Sequence, residues 1–189
     1  MHDQPLLLNA NAAVGLNVAE TPDYPGVADL LRDMDRLGVA QALVWNKSAI
    51  PHARGGNQRL LQAVDACPGA RGRIRPSLVV APTLLTERGA LDDLRETLRT
   101  RGLRALRALP ASLYYDLRQL EPLLEQILSF RPVLLVNVQT EAEPFDVLPL
   151  AERFPDLPIV LTDAMWGQMS RVFDLLRRRP NLYVETSWI

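Results

Sequence analysis

Short continuous apolar runs alternate with amphipathic helical stretches along the chain, and this alternation restricts the fold more than any other feature of the sequence. The runs occupy residues 6–10, 41–45, 77–80, 102–106, 133–137, 159–162 and 182–185. Each run consists mainly of consecutive apolar residues rather than of apolar and polar residues in alternation, which is typical of parallel strands covered on both faces. Strands that alternate with helices predict an α/β fold with right-handed crossovers.

Amphipathic segments fill the gaps between these runs. The predicted helices span residues 27–37, 57–66, 86–99, 115–128, 149–154 and 169–178. In the first of them, apolar residues recur at helical spacing from Val27 to Leu37, and Gly38 follows as the expected C-cap. Glycine or proline then occupies most of the connections that lead into the next strand, as expected at helix ends.

Seven strands and six helices predict a (β/α) TIM-barrel type of parallel sheet that is incomplete. A full eightfold barrel takes about 250 residues, so a single domain over residues 1–189 lacks the last strand–helix unit. An open doubly wound sheet also fits the length, but no G-x-G-x-x-G follows the first strand. We expect the edge after Glu185 to be completed by another copy in a homo-oligomer, unless the natural chain continues beyond Ile189.

Composition excludes several classes of function. The chain has 21 basic and 22 acidic residues and a net charge of -1, which predicts neither nucleic-acid nor membrane-surface binding. Its apolar runs are far shorter than the roughly 18–20 residues that cross a bilayer. No basic segment precedes the apolar start, and the single cysteine, Cys67, excludes an intramolecular disulfide. We therefore expect a cytoplasmic protein whose partner is a small molecule.

Five segments together resemble the amidohydrolase-related, metal-dependent hydrolase family of TIM-barrel proteins. Residues 8–15 lie where that family has a strand ending in D-x-H-x-H-x-G, and residues 30–39 (LLRDMDRLGV) are similar to its L-x-x-x-M-D-x-x-G-V passage. Residues 101–107 (RGLRALR) resemble its G-x-x-G-x-R strand. The late segments AERFPDLPIVL and PNLYVETS, at residues 151–161 and 180–187, resemble its final strands. Their order and spacing agree with the family over nearly the whole chain.

The same resemblance identifies positions where the family's metal ligands are missing. The family holds zinc or another divalent metal with a histidine pair on the first strand, histidines after strands five and six, and an aspartate after strand eight. The first pair falls here on Asn11 and Ala13, and the later histidines fall near Asn137 and Asp163. Amides are poor ligands for such metals, and neither histidine of the chain, His2 or His52, matches a ligand position. We therefore predict the fold and hydrolase or decarboxylase chemistry without a metal cofactor.

The carboxyl ends of barrel strands carry the chemistry of such folds. We predict Asp163 as a general base, with Arg107 as its partner or as an anchor for a substrate carboxylate. The alternative is that these two residues form a structural ion pair at the barrel rim. The predicted substrate-binding residues, all at strand ends, are Asn11, Trp45, Lys47, Asn137 and Glu185. They are expected to converge on one mouth that binds a small polar or carboxylated substrate.

Several of these residues also have readings that need no ligand. Asn11 and Asn137 can hydrogen-bond each other across the barrel, and Lys47, a possible Schiff-base or general-base residue, can simply be solvated. His52 is either a proton shuttle on a mobile lid or an exposed loop residue, and Asn57 is a plain N-cap or part of an anion site. The alternative for the whole chain is a non-catalytic descendant that keeps the scaffold as a binding or assembly protein.

Overall fold

The computed structural model describes residues 7–15 and 24–186. Within them, eight strands are β1 (Leu7–Val14), β2 (Val39–Asn46), β3 (Ile74–Pro76), β4 (Leu78–Val80), β5 (Ala105–Ala108), β6 (Val133–Asn137), β7 (Ile159–Thr162) and β8 (Leu182–Val184). Seven α-helices are α1 (Val27–Leu37), α2 (Ala53–Ala66), α3 (Thr83–Thr86), α4 (Ala90–Arg101), α5 (Glu121–Ile127), α6 (Leu148–Arg153) and α7 (Met169–Arg178). His2, Ser187 and Trp188 lie outside the described residues.

All the strand pairs are parallel, and they form two sheets. One sheet has the order β1-β2-β3 and the other the order β4-β5-β6-β7-β8. The predicted α/β class with parallel strands joined through helices is therefore confirmed. By internal contacts the chain divides into two compact units, Met1–Ser77 and Leu78–Ile189, each of which contains one of the sheets. The single domain over residues 1–189 stays a prediction.

The number of strands differs from the prediction because a short strand, β3, precedes the predicted strand over residues 77–80 and belongs to the other sheet. The apolar run at residues 77–80 is preceded by β3, which pairs with β2, whereas β4 pairs with β5. Only Ser77, which is fully buried, separates the two segments. Arg75 is exposed and Pro76 has no N–H, so β3 lacks the apolar continuity that identified the other strands. The sequence pattern therefore located β4 and missed β3.

The three-stranded sheet of the first unit buries one face. Ala12, Val14, Val44 and Ile74 from its strands form a core with α1 residues such as Leu30 and with Leu60 of α2. Side chains alternate across a strand, so Asn11, Ala13 and Trp45, all half-buried, lie on the opposite face. The register places Ala13 beside Trp45. The pairing shifts between Asn9 and Ala12, where the Asn9 side chain accepts a hydrogen bond from the Asn11 backbone N–H at 2.9 Å.

The five-stranded sheet of the second unit has a uniform register. Leu106, Leu134, Ile159 and Leu182 are aligned neighbours on one face, and all are buried. The next row on the other face contains Val79, Arg107, Leu135, Val160 and Tyr183. Two residues further toward the carboxyl ends of the strands, Asn137 is aligned with Thr162 on the same face as Arg107. A charged residue in the middle of the sheet is therefore the exception to an otherwise apolar pattern.

Helix ends depart from the prediction where capping chemistry was misread. Helices α1 and α7 have the predicted bounds, but α2 begins at Ala53 rather than at Asn57. His52 is its N-cap, and the Nδ1 atom accepts a hydrogen bond from the Gly55 N–H at 3.0 Å. This role explains His52 without a proton shuttle and removes Asn57 from the N-cap position. Among the described helices, none is long and apolar enough to cross a membrane.

Gly56 in the first turn of α2 is required by close packing rather than by a turn. A Cβ atom there would lie 2.3 Å from the Cα and 2.3 Å from the backbone N of Ala49. Because backbone atoms cannot move aside as a flexible side chain can, we expect Gly56→Ala to lower the free energy of unfolding by about 1–3 kcal/mol. Urea denaturation measures this change. Gly167→Ala is the control, since nothing lies within 4 Å of its added Cβ, and equal destabilisation by both would contradict the packing argument.

Candidate functional site

Arg107 occupies the centre of the candidate site, deeper than the sequence predicted. The predicted strand over residues 102–106 placed it at a strand end, but β5 starts at Ala105, and Arg107 is its third residue. The strand starts late because Gly102, in the left-handed region with φ of 61°, ends α4 and the chain then straightens over two residues. Arg107 is aligned between Val79 and Leu135, and only 1% of its surface is exposed.

Three carboxylates compensate the buried charge of Arg107. Removal from water lowers the pKa of Arg107 to about 10, and the negative charges of Asp163, Glu141 and Glu185 oppose that shift. Arg107 therefore remains protonated at neutral pH. The predicted pair of Arg107 and Asp163 is brought into electrostatic contact, and Glu185 of the predicted substrate-binding set joins it. Glu141 is an addition that the sequence analysis missed.

Asp163 is held at the carboxyl end of β7 by a hydrogen bond and by its backbone. Its Oδ2 atom accepts a hydrogen bond from Asn137 Nδ2 at 2.8 Å. Its φ of 57° lies in the left-handed region, which aspartate tolerates better than most residues with a side chain. Non-glycine residues in this region cluster at functional sites. The half-buried carboxylate is consequently fixed in position at the sheet edge.

Asn137 is itself immobilised by the loop that follows β6. Its Oδ1 accepts hydrogen bonds from the backbone N–H groups of Gln139 at 2.8 Å and Thr140 at 3.0 Å. Its amide nitrogen is thereby turned toward Asp163. This geometry assigns Asn137 an observed partner within its own sheet. The alternative of a hydrogen bond to Asn11 is not needed to explain its amide.

Glu141 and Tyr115 connect the loops beside this edge. Both carboxylate oxygens of Glu141 accept hydrogen bonds from Ser112, one from its N–H at 2.9 Å and one from its hydroxyl at 2.5 Å. The Tyr115 hydroxyl accepts a hydrogen bond from the Leu109 N–H at 3.0 Å and donates one to the Val80 carbonyl at 3.1 Å. Burial raises the pKa of Tyr115, so that it stays a neutral donor. Tyr115 was predicted as the start of a helix, and only its buried hydroxyl reveals this role.

A cavity of about 700 Å³ lies next to the cluster. Tyr115 and Glu141 line it, together with residues of the loops after β5 and β6, among them Tyr114 and Phe145. Its size is in the usual range for small-molecule sites. Of the charged cluster of Arg107, Asp163, Glu141 and Glu185, only Glu141 lines the cavity, so the cavity and the cluster are neighbours that share one side chain.

The remaining predicted residues belong to the three-stranded sheet. Asn11 and Trp45 lie on the face opposite the apolar core, and Lys47 begins a short 3-10 helix, Lys47–Ala49, directly after β2. All three are half-buried. Their predicted roles in substrate binding stay predictions.

The donor set does not fit the metal that the resemblance implies. In residues 7–15 and 24–186, no three histidine, cysteine, aspartate or glutamate side chains form a group able to hold a metal ion. The first-strand positions carry Asn11 and Ala13, which offer an amide and a methyl group. The Asp163 carboxylate accepts a hydrogen bond from Asn137, and Asp163, Glu141 and Glu185 all act on the charge of Arg107. Zinc and manganese sites need several imidazole or carboxylate ligands at once.

The parallel sheets and the polar carboxyl edge define a TIM-barrel type of α/β protein. A model of the amidohydrolase family matches residues 19–189, and the chain therefore belongs to the amidohydrolase family. The resemblance read from the five sequence segments is confirmed. No curated protein matches the chain significantly.

Solved structures with the same fold are distant in sequence. An uncharacterised TIM-barrel protein from Bordetella bronchiseptica is 17% identical, with a TM-score of 0.62 over 85% of this chain and 59% of that one. A probable 2-pyrone-4,6-dicarboxylic acid hydrolase from Acinetobacter baumannii is 16% identical, with a TM-score of 0.62 over 94% and 68% of the two chains. A 2,6-dihydroxybenzoate decarboxylase from Rhizobium is 15% identical, with a TM-score of 0.55 over 84% and 66%. The chain thus spans about half to two thirds of the structures it matches.

The hydroxyl of Tyr115 is expected to stabilise the loop that follows β5. In Tyr115→Phe, the Leu109 N–H and the Val80 carbonyl both lose their partner, which costs about 1–3 kcal/mol of unfolding free energy. Thermal or urea unfolding measures the loss. Tyr114→Phe is a matched control, because Tyr114 is 95% exposed and its hydroxyl has no such burial. A Tyr115→Phe protein as stable as the Tyr114→Phe protein would show that the bridge contributes nothing.

Proposed function

We propose that the chain carries the general base of an amidohydrolase-family hydrolase or decarboxylase that acts on a small cyclic carboxylic acid. The observation that carries this proposal is the fixed, half-buried Asp163 at the carboxyl end of β7, with Oδ2 held by Asn137 at 2.8 Å. Such a position is where chemistry is found in sheets of this class. A small molecule is accordingly the expected partner, while a cytoplasmic location and a homo-oligomer stay predictions.

Two structural neighbours support this substrate class. Both are named for enzymes of ring-bearing carboxylic acids, one a hydrolase of a pyrone dicarboxylic acid and one a decarboxylase of a dihydroxybenzoate. Hydrolysis of a ring ester and loss of CO₂ from a hydroxylated ring both use a group that accepts or returns a proton. Asp163 fills this role in the proposal, accepting a proton from water or from a substrate hydroxyl.

Arg107 enters the proposal as a positioning residue rather than as a substrate anchor. Its 1% exposure leaves almost no surface for a substrate carboxylate, and three protein carboxylates already act on its charge. Asn137 and Glu185 remain proposed contacts to substrate from the same sheet. For Asn11, Trp45 and Lys47, which belong to the first unit, a role in substrate binding stays a prediction.

The test of the base is the isosteric substitution Asp163→Asn. It retains an oxygen that accepts the Asn137 hydrogen bond but cannot take a proton, so we expect turnover to fall at least about 100-fold. Ring absorbance reports turnover of dihydroxybenzoates and pyrone dicarboxylates by the purified protein. Asp156→Asn is the control, because this exposed carboxylate precedes β7 at the opposite end of the strand. Full activity of the Asp163→Asn protein would refute the assignment of Asp163 as the base, whereas no turnover of any of these substrates by the unmodified protein would favour a non-catalytic binding protein.

Removal of divalent metal ions is expected to leave the activity and stability of the protein unchanged. Because the described donor set does not suit a divalent metal, we expect turnover and melting temperature to be unchanged, within about 10% and 1 °C, after dialysis against a chelator. Elemental analysis of the dialysed and undialysed protein provides the matched measurement. Stoichiometric zinc or manganese whose removal abolishes turnover would overturn the proposed metal-free mechanism and leave the family assignment intact.

A further inference from the structure

The position of Arg107 in the sheet requires compensation of its charge by neighbours. Val79 and Leu135 flank it in its own row, and neither offers a hydrogen bond from its side chain. A buried cation with apolar neighbours is strongly unfavourable unless acidic groups or hydrogen-bond acceptors surround its charged end. The three carboxylates that act on its charge all follow strands of the same sheet, at the carboxyl edge.

The geometry of that edge brings acidic residues from three different connections. Asp163 follows β7 and is fixed by Asn137, which is two residues, or about 6.5 Å, beyond the Arg107 row. Glu185 follows β8, and its N–H donates to the Leu161 carbonyl at 2.9 Å, which sets it beside the end of β7. Glu141 follows β6 and is tied to Ser112 of the loop after β5. Three loops and one strand thus meet around one guanidinium.

We infer that Arg107 is a positioning residue that supplies, from the protein's own chain, the cation around which Asp163, Glu141 and Glu185 are gathered. In the site proposed above, we assign this role to Arg107 rather than to a metal, because the described donor set does not fit a divalent metal. A guanidinium suits the task since its five N–H donors point in several directions within one plane. The inference depends on the proposed function only for the catalytic meaning of Asp163, and the charge arrangement can be tested without a substrate.

Replacement of Arg107 separates its charge from its volume. Arg107→Met fills similar space but removes the positive charge that acts on the three carboxylates, and we expect a melting temperature at least about 6 °C below that of the unmodified protein. Arg107→Lys keeps the charge and is expected to recover at least half of that loss. If Arg107 only fills space, the Arg107→Met and Arg107→Lys variants will have the same melting temperature, or the methionine variant will have the higher one. Either result overturns the inference.

A sharper test asks whether the change in melting temperature caused by Glu185→Gln reverses its sign when Arg107 is replaced. In the unmodified protein, Glu185→Gln removes a favourable partner of Arg107 and is expected to lower the melting temperature or leave it unchanged. In the Arg107→Met background the same substitution relieves repulsion among carboxylates, and we expect a rise of about 3 °C. The exposed pair of Arg118 and Asp116, 3.0 Å apart, is the control, and Asp116→Asn is expected to show no such rise in an Arg118→Met background. If Glu185→Gln changes the melting temperature in the same direction in the unmodified protein and in the Arg107→Met variant, the inference is refuted.

A variant that fails to fold is also informative. If Arg107→Met yields no folded protein, the triple variant with Asp163→Asn and Glu185→Gln is expected to fold, because only Glu141 of the three acids then keeps its charge. Circular dichroism and size-exclusion chromatography report the outcome, and a triple variant that remains unfolded would overturn the inference. All these readouts concern stability, so a failure to find turnover in the substrate screen leaves them interpretable.

Discussion

The second unit depends on one electrostatic constraint, the burial of a single positive charge in the middle of a parallel sheet. Everything that surrounds Arg107 in its row is apolar, so its guanidinium has to be matched at the carboxyl edge. The acidic residues at this edge, and the asparagine that fixes one of them, follow from that requirement. Because a buried charge without compensation costs several kcal/mol, the edge is as much a part of the folding problem as of the site.

This constraint also distinguishes the protein from the metal-dependent pattern that its family membership suggests. A bound metal gathers ligands around a point, whereas a guanidinium arranges acceptors around a plane and comes attached to the chain. Among the described residues, no three histidine, cysteine, aspartate or glutamate side chains form a group able to hold a metal, whereas three carboxylates act on the charge of Arg107. The proposed acid–base role of Asp163 is compatible with such an arrangement, because the Asn137 amide fixes the position of its carboxylate.

The sequence allowed most of the fold to be predicted, and the reasons for the errors are physical. Continuous apolar runs located seven of the eight strands, but β3 carries Arg75 and Pro76 and has no such run. The α2 start was misplaced because His52 is an unusual N-cap compared with Asn57. Asp163, Asn137 and Glu185 were predicted to lie at strand ends because polar groups collect there, whereas Arg107, predicted at a strand end, lies within β5. Glu141 and Tyr115 were missed because their contacts depend on the paths of loops, which carry no periodic signal.

The left-handed backbone of Asp163 has a consequence for how this position can change over generations. Glycine, asparagine and aspartate accept a φ of 57° at little cost, whereas most other side chains add strain. Loss of the carboxylate through a single substitution to asparagine or glycine would therefore leave the loop conformation intact. The backbone therefore does not distinguish among these three residues, and of the three only aspartate also brings a negative charge to the edge of the sheet near Arg107.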